Sequence, residues 1–217
     1  MHKPAFTRAE PDARRQSLIA ACSRVLARTG AAGASVRTIA IEAGVSPGLV
    51  NHYFASVDAL ISAAYEHLGA TVTAALEQAV AAAADTPRAR LDAYVTASFA
   101  PPIADAELLA TWIALWSLVR ARPDIARLHD AQYADYRRML ELLLADCGTP
   151  AARRYIAAIG ITALVDGLWL ELCLSPGCFT PDQACALARG QIDAVLAASG
   201  SPTPFISTAP GSAADNS

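Results

Sequence analysis

A short segment near the N-terminus carries side chains of the kinds that read DNA. Asn51 can pair with adenine through two hydrogen bonds, His52 can donate to or accept from a base edge, and Leu49 can touch a thymine methyl group. The hydroxyl of Tyr53 suits a phosphate oxygen, and Ser46 can offer both its hydroxyl and a helix N-terminus. The alternative is that Asn51 and His52 are solvated surface residues, so their role depends on the elements that present them.

Two short helices joined by a tight turn are predicted to position these side chains. The apolar face of the first helix consists of Val36, Ile39, Ala40 and Ala43. Gly44 then stands where the backbone must become left-handed, and Ser46 caps a second helix that has Pro47 at its first position. About three residues separate the helices, a spacing that would place the second helix in a DNA major groove. Spacing alone also allows a helical hairpin within an enzyme bundle.

The complete segment 35–54, SVRTIAIEAGVSPGLVNHYF, resembles the TetR family of bacterial transcriptional regulators. The resemblance implies that Arg37 contacts a base or a phosphate from the first helix, and that Thr38 and Pro47 belong to the DNA-binding surface. Val57 is a departure, because family members commonly carry a lysine there that meets the DNA backbone. The loss of one phosphate contact should lower the affinity and its salt dependence slightly.

The composition favours an all-α protein with ample core material. The 217 residues are 54% hydrophobic but only 6% aromatic, and no segment alternates with a period of two. We expect about nine helices, arranged as an N-terminal three-helix helix-turn-helix DNA-binding domain and a C-terminal helical bundle. The chain has neither a run of about 18 uncharged apolar residues nor a charged-then-apolar signal segment. We therefore expect no membrane span and a cytoplasmic location.

The sequence gives no indication of a catalytic centre, a metal site or a cofactor. The five cysteines form no C-x-x-C pair, and no His, Cys and Asp cluster has the spacing of metal ligands. An acid pair, a nucleophile beside a base and a phosphate-binding loop are also lacking. We expect a protein that is not an enzyme and needs no cofactor.

Helix-starting and helix-stopping residues divide the chain into predicted domains. The first helix should run from Glu10 to Thr29 and end at Gly30, and a long helix should follow Ser56. Proline positions predict further helices at about 87–100, 104–121, 124–146, 150–174 and 181–198. These signals predict a DNA-binding domain at residues 1–56, an effector-binding and dimerisation domain at 57–199, and a disordered tail at 200–217.

Basic charge is concentrated in the part of the chain that carries the helix-turn-helix motif. Residues 1–60 hold seven lysines and arginines against four acidic residues, whereas the remainder holds ten against sixteen. A local positive excess is what attraction to DNA phosphates requires. The excess is modest, so we expect weak non-specific DNA affinity.

Three tryptophans and one carboxylate lie on helices predicted for the second domain. Trp112 and Trp116 are four residues apart and share a helical face, and Trp169 lies close to Asp166, a lone carboxylate in an otherwise apolar helix. Further aromatic candidates for the same site are Tyr94, Phe99, Tyr133 and Tyr136. Aromatic faces beside a carboxylate would suit a quaternary ammonium such as choline. Alternatively, the tryptophans are core packing and Asp166 accepts bonds from a neighbouring helix end.

Three segments of the second domain resemble the BetI-like branch of the same family. They are LATWIALW at 109–116, the pattern Pro-x-x-Ala-x-Leu-His at 123–129 and ALVDGLWL at 163–170. Glu171 departs from that pattern, because the branch often has arginine there, so the charge of the ligand stays open. The family resemblance also implies a homodimer through helices 150–174 and 181–198. We expect small and apolar positions of both helices to lie in that interface, namely Ile156, Ile159, Ala163, Gly167, Ala184, Leu187, Ala188, Ile192 and Val195.

These features together predict a one-component transcriptional regulator, most simply a homodimeric repressor. It would bind a palindromic operator in double-stranded DNA and leave it when a small-molecule effector binds. The alternative is a regulator without a small-molecule ligand that is controlled by a protein partner.

Overall fold

The computed structural model describes residues 9–175 and 177–199, and this part of the chain forms nine α-helices and no strand. The helices are α1 (Ala9–Gly33), α2 (Val36–Ala43), α3 (Pro47–Tyr53), α4 (Val57–Ala82), α5 (Pro87–Thr96), α6 (Ala106–Val119), α7 (Pro123–Asp146), α8 (Ala151–Leu174) and α9 (Pro181–Ser199). The all-α prediction is confirmed, with a helix-turn-helix unit ahead of a helical bundle. The predicted tail at 200–217 lies outside the described residues.

Capping residues fix the ends of α2 and α3 as the sequence predicts. The Ser35 hydroxyl accepts a bond from the Thr38 amide, and the Thr38 hydroxyl accepts one from the Ser35 amide, which forms a capping box. Gly44 ends α2 with φ 65° and ψ 34°, in the left-handed region. The Ser46 hydroxyl then accepts a 3.3 Å bond from the Leu49 amide and starts α3.

Several helix boundaries differ from the sequence prediction for local reasons. Gly30 leaves helical geometry with φ 66° and ψ −176°, but a short turn follows it, so α1 extends to Gly33. The helix expected at 87–100 ends at Thr96 and continues as the 3-10 turn Ala97–Phe99. The next helix begins later than expected, at Ala106, because the Asp105 carboxylate accepts bonds from the amides of Glu107 and Leu108.

Helix α1 links the helix-turn-helix unit of α2 and α3, which we call the reading unit, to the bundle. Its apolar stripe, which consists of Leu18, Cys22, Val25 and Leu26, is fully buried. The helix packs along α2, α4 and α6, and the Thr111 hydroxyl of α6 lies 3.2 Å from the Ser23 carbonyl oxygen of α1. Contacts with both parts mean that a shift of α6 is transmitted to α1 through a packed core.

The start of α4 is tied to the start of α7 by a charged cluster around Arg122. The Arg122 guanidinium donates to the Asp58 carboxylate at 2.8 Å and to the Asp124 carboxylate. The Ser62 hydroxyl, one turn along α4, donates to Asp124 at 2.7 Å. We call these four side chains the Arg122 clamp. The clamp holds α4, the helix that follows the reading unit, against the bundle.

Helix α8 has an exposed apolar face on one side and a core-facing side on the other. The exposed large side chains, which we call the α8 stripe, are Tyr155, Ile156, Ile159, Leu170 and Leu174. The stretch Ala151–Leu172 is long and apolar enough to cross a membrane by length and composition alone. However, Trp169 donates to the Ser98 carbonyl oxygen at 2.7 Å, so the inner side of α8 packs as a core helix.

Several α9 residues that were expected in the interface are not exposed. Ala184, Ala188 and Ile192 are buried within the chain, since their side of α9 packs against α5 and α8. The prediction that these three residues face a partner is therefore wrong. Leu187 is the large apolar side chain that α9 exposes, at 54% of its surface.

Candidate functional site

Helix α3 presents two polar side chains outward and anchors itself with apolar ones. Asn51 and His52 are exposed, whereas Val50 and Phe54 are buried in the core of the helix-turn-helix unit. Tyr53 is half-buried, and its ring meets the His52 ring edge-on at a centroid distance of 5.2 Å. This alternation leaves one narrow face of α3 free to approach the edges of DNA bases.

The other candidate DNA-binding residues lie around the same face. They differ in exposure and in whether their polar groups are already bonded. Arg37 and Pro47 are exposed, and Leu49 is half-buried. Thr38 and Ser46 are exposed, but their hydroxyls already accept capping bonds from the Ser35 and Leu49 amides. We therefore expect Arg37 to be the more adaptable contact, because its charge is not committed to a cap.

Ion pairing reduces the positive charge that the N-terminal region can offer to DNA. Arg24 and Arg28 of α1 bind the Glu42 carboxylate of α2 at 2.7 and 2.8 Å. These bonds hold the pKa of Glu42 below its ordinary value. Arg15 lies with its guanidinium 5.1 Å from the centre of the Phe54 ring. Counting charges from the sequence therefore overstates the contribution of Arg24 and Arg28 to phosphate binding, since they join α1 to α2.

An aromatic pocket of about 60 Å³ lies within the bundle. Its lining residues are Val72, Ser98, Trp112, Trp116, Gln132, Tyr133, Tyr136, Thr162, Asp166 and Trp169. The Trp112 ring is central, with its centroid 6.0 Å from that of Trp116 and 6.5 Å from that of Trp169. All three tryptophans, predicted from positions far apart in the chain, thus meet in one cavity.

Asp166 lies in this pocket with one hydrogen bond. Its carboxylate accepts a 3.0 Å bond from the Tyr133 hydroxyl. Burial raises the pKa of Asp166 to about 6, although the Tyr133 bond and the charge of Arg137 act in the opposite direction. Near neutral pH the group is therefore a largely ionised, poorly solvated carboxylate, which favours a cation as its neighbour.

Tyr133 contributes its hydroxyl to the pocket, while its ring belongs to a stack along α7. The ring centroids of His129 and Tyr133 are 4.3 Å apart, and the Arg137 guanidinium lies 5.8 Å from the Tyr133 ring centre. Nδ1 of His129 is in turn 3.1 Å from the Tyr65 hydroxyl of α4. A continuous set of contacts therefore runs from Asp166 to the helix that leads to the reading unit.

Three observations differ from the sequence analysis of this site. Tyr94 lies outside the aromatic pocket and lines a neighbouring cleft, where its ring stacks on Tyr136 at 5.2 Å. Tyr136, a predicted aromatic candidate, lines the pocket, whereas Phe99 is buried and does not line it. Sequence reasoning missed Gln132, which lines the pocket beside the predicted residues. An aromatic pattern along α7 links Tyr133 to Tyr136 at a three-residue spacing, but nothing in the sequence marks Gln132.

Four polar atoms in the pocket wall are buried without a hydrogen-bond partner in the protein. They are the indole nitrogens of Trp112 and Trp116, the side-chain oxygen Oε1 of Gln132 and the hydroxyl of Tyr136. Buried polar groups are usually paired, so their shared location makes this pocket the candidate site for a polar ligand. Within residues 9–175 and 177–199, apart from side chains too uncertain to describe, no group of three or more His, Cys, Asp and Glu residues could hold a metal ion.

Comparison with known proteins gives this geometry its context. Residues 18–64 match the model for bacterial regulatory proteins of the tetR family, and residues 87–197 match that for the C-terminal part of BetI-type transcriptional repressors. The chain is 39% identical over 186 residues to the HTH-type transcriptional regulator BetI of Burkholderia thailandensis, covering 85% of this chain and 94% of that protein. The chain belongs to the TetR family. It is a DNA-binding transcriptional regulator of the BetI type and not an enzyme.

Solved structures of TetR-type regulators have the same fold. A transcriptional regulator from Pseudomonas aeruginosa PAO1 superposes with a TM-score of 0.80 at 39% identity, over 89% of this chain and 95% of that one. A regulator from Saccharomonospora viridis, solved in complex with choline, superposes with a TM-score of 0.70 at 18% identity, over 84% and 96% of the two chains. At that lower identity the likeness concerns the fold alone.

Proposed function

We propose that this TetR-family regulator is a homodimeric repressor that leaves a palindromic operator when a small quaternary ammonium occupies the aromatic pocket. The observation that carries the proposal is the convergence of three tryptophans and the Asp166 carboxylate in one buried cavity. An aromatic face attracts a quaternary ammonium with about 0.5–2 kcal/mol, and a desolvated carboxylate adds charge complementarity.

The dimensions of the pocket favour a small effector. A water molecule needs roughly 10–15 Å³ of such space, so a cavity of about 60 Å³ has room for about four to six water-sized groups. That capacity suits a compact cation better than a large planar or steroidal ligand.

The unpartnered polar atoms favour an effector that also carries an oxygen. The Trp112 and Trp116 indoles can each donate a hydrogen bond, and Gln132 can accept one through Oε1. Choline combines a quaternary ammonium with a hydroxyl, which can both accept and donate. The choline complex of the Saccharomonospora viridis regulator supports this choice of ligand class.

The α8 stripe supports the homodimer. A row of exposed tyrosine, isoleucine and leucine side chains is costly on a monomer surface, and a second copy could cover it through a two-fold interface. Exposed Leu187 of α9 extends the same apolar surface in this proposal. The dimer would present two copies of α3 to half-sites about one helical turn, or a multiple of it, apart.

DNA contact is proposed for the face of α3 and its surroundings. Asn51, His52 and Leu49 would meet base edges, while Tyr53 and the capped N-terminus at Ser46 would meet phosphates. Arg37, with neighbouring Thr38 and Pro47, would complete the surface. We retain the division into a DNA-binding domain at 1–56 and an effector and dimerisation domain at 57–199, and we place the protein in the cytoplasm, where a bacterial operator lies.

Effector binding would reach the operator through α4. A cation beside Asp166 changes the charge balance of the Tyr133, His129 and Tyr65 contacts, and the last of these residues lies on α4. Only a difference in effector affinity between the two arrangements of the helices is required.

The experiment that tests this function uses DNA from upstream of the protein's own gene. Fluorescence anisotropy should show sequence-specific binding of a dimer, and choline should release the DNA in a saturable manner. The uncharged carbon isostere of choline is the matched control and should release the DNA far less effectively. Equal release by both compounds would contradict a cation-binding pocket, and absence of specific DNA binding at any salt concentration would contradict the repressor.

A further inference from the structure

Gln132 of α7 lines three cavities, which are the aromatic pocket and two clefts between α4 and α7. Besides the aromatic pocket, it lines one cleft of about 250 Å³ and another of about 280 Å³. We call these the two outer clefts. Val72, Gln132 and Tyr136 line both the pocket and the first of these clefts, so the wall between them is one side chain thick.

The Gln132 side chain packs against α4 but lacks a hydrogen bond at one of its two polar atoms. It lies against Gly69 of α4, and a Cβ atom at residue 69 would be only 2.4 Å from Nε2 of Gln132. The Oε1 atom of Gln132 is buried without a hydrogen-bond partner in the protein. Since that oxygen has no protein bond to break, rotation of the side chain costs less than it would for a fully bonded amide.

The charged residues that line the two outer clefts are three acidic side chains and one basic side chain. Glu77 and Asp135 line the first cleft, and Glu66 and Asp135 line the second, whereas Arg138 is the one basic residue in either lining. Clefts lined by charges of one sign concentrate ions of the opposite sign. A cation is therefore drawn to the surface on which Gln132 lies.

We infer that the effector reaches the aromatic pocket from this acidic groove between α4 and α7, and that Gln132 is the gate on the route. The identity of the cation rests on the proposed function, but the route and the gate do not. The gate swings aside for passage and then closes over the ligand, where Oε1 can accept a hydrogen bond from it.

Collisional quenching of tryptophan fluorescence tests the gate without any effector. The chain has three tryptophans and all of them line the pocket, so their emission reports on access to it. Quenching by neutral acrylamide should rise severalfold in Gln132→Ala and fall in Gln132→Phe, which fills the space beside Gly69. Gln78→Ala, an exposed glutamine change on α4 away from the pocket lining, is the matched control and should leave quenching unchanged.

Unchanged acrylamide quenching in both Gln132 variants would overturn the gate. A rise in acrylamide quenching in Gln132→Ala supports the gate only if this variant has the same thermal unfolding midpoint as the control. General loosening of the fold would also expose tryptophans, and it would lower the midpoint. The opposite effect of Gln132→Phe is a second safeguard, since loosening cannot lower quenching.

Caesium ions test the charge of the route. The double variant Glu77→Gln, Asp135→Asn should lower quenching by Cs⁺ by roughly twofold to tenfold at low salt, while acrylamide quenching stays the same. Equal effects on the two quenchers would overturn the acidic groove as an attractor of cations.

Stopped-flow mixing with choline separates this inference from the proposed function. Gln132→Ala should raise the association and dissociation rate constants together, with a smaller change in the equilibrium constant. If the quenchers respond to Gln132 but choline never alters the fluorescence, the gate stands and the proposed effector is wrong. If choline binds and neither quenching nor rates respond to Gln132, the effector stands and the gate is wrong.

Discussion

Nδ1 of His129 lies 3.1 Å from the hydroxyl of Tyr65, and this contact joins α7 to the helix that carries the reading unit. One turn further along α7, Tyr133 stacks on His129 and donates to Asp166 in the aromatic pocket. The edge of the Tyr65 ring also meets Trp112, with centroids 5.2 Å apart. Tyr65 therefore contacts Trp112 of the pocket wall and is connected to Asp166 through His129 and Tyr133, so in the proposed function a ligand in the pocket would act on α4 through Tyr65.

Choline affinity should depend on pH through Asp166. The pKa of this carboxyl is raised to about 6 by burial, and only the ionised form attracts a cation. Affinity measured by calorimetry should be constant above about pH 7 and fall by up to about tenfold per pH unit below the pKa. Asp166→Asn should remove the dependence, and an unchanged pH profile in that variant would contradict the assignment.

The same carboxyl should also affect the stability of the ligand-free protein. Its pKa is higher in the folded state than in an unfolded chain, so folding favours the protonated form. Its contribution to the free energy of unfolding is fully present below the ordinary pKa and is lost as the pH rises through about 6. Urea unfolding at a series of pH values should show this loss in the unaltered protein and not in Asp166→Asn.

Removing one aromatic face should weaken cation binding more than binding of an uncharged analogue. Trp116 is half-buried, so Trp116→Leu leaves less of a cavity than a change at Trp112. We expect Trp116→Leu to lose about 0.5–2 kcal/mol of choline binding, whereas Trp116→Phe keeps part of it. Calorimetry with choline and with its uncharged carbon isostere measures the loss of binding free energy for each ligand. Equal losses for both ligands would show that Trp116 supplies only apolar contact.

Base-reading and phosphate-binding residues of α3 should respond differently across an operator library. Asn51→Ala or His52→Ala should change which bases are preferred, at a cost of about 1–3 kcal/mol per lost base contact. Tyr53→Phe should weaken binding to all sequences alike, because a phosphate contact carries no base information. A uniform loss from Asn51→Ala would reverse the assignment of the two roles.

The Arg122 clamp should transmit effector binding to the operator. Its hydrogen bonds to Asp124 hold the pKa of that carboxyl well below its ordinary value, so the clamp stays charged at neutral pH. Arg122→Met keeps the aliphatic stem but removes the charge, and we expect it to reduce the choline-induced change in operator affinity. Exposed Arg120 gives the matched control, Arg120→Met. Equal coupling in both variants would exclude the clamp from signal transmission.

A charge placed on the α8 stripe should separate the proposed dimer. Ile156 and Leu142 are each 53% exposed, but Ile156 belongs to the stripe and Leu142 lies on α7. Ile156→Glu should give a monomer in analytical ultracentrifugation and lose operator affinity, whereas Leu142→Glu should remain dimeric. A dimeric Ile156→Glu variant would place the interface elsewhere.

The local features of the reading unit could be predicted because short-range chemistry determines them. A left-handed glycine, a serine cap and an N-terminal proline each act within a few residues, and Gly44, Ser46 and Pro47 take these roles in the structure. The aromatic pocket was partly predictable, because tryptophans at helical spacing and a lone carboxylate share the apolar inner faces of α6 and α8.

The remaining features depend on contacts between residues far apart in the chain. Arg24 counts as a free positive charge in the sequence, but Glu42 of another helix binds it. Tyr94 lies one cleft away from its expected place because the stacked Tyr136 stands between α5 and the pocket. No sequence pattern marks Gln132, because its position in the pocket wall depends on its contact with Gly69 of another helix.

The α8 stripe has a genetic consequence. In the proposed dimer, this surface is independent of α3, so a chain with a damaged reading helix still associates with an intact one. Such a mixed dimer has one intact α3 and cannot bind both half-sites of the operator at once. Alleles altered in α3 should therefore be dominant over the wild type in a cell that carries both, whereas alleles altered in the stripe should be recessive.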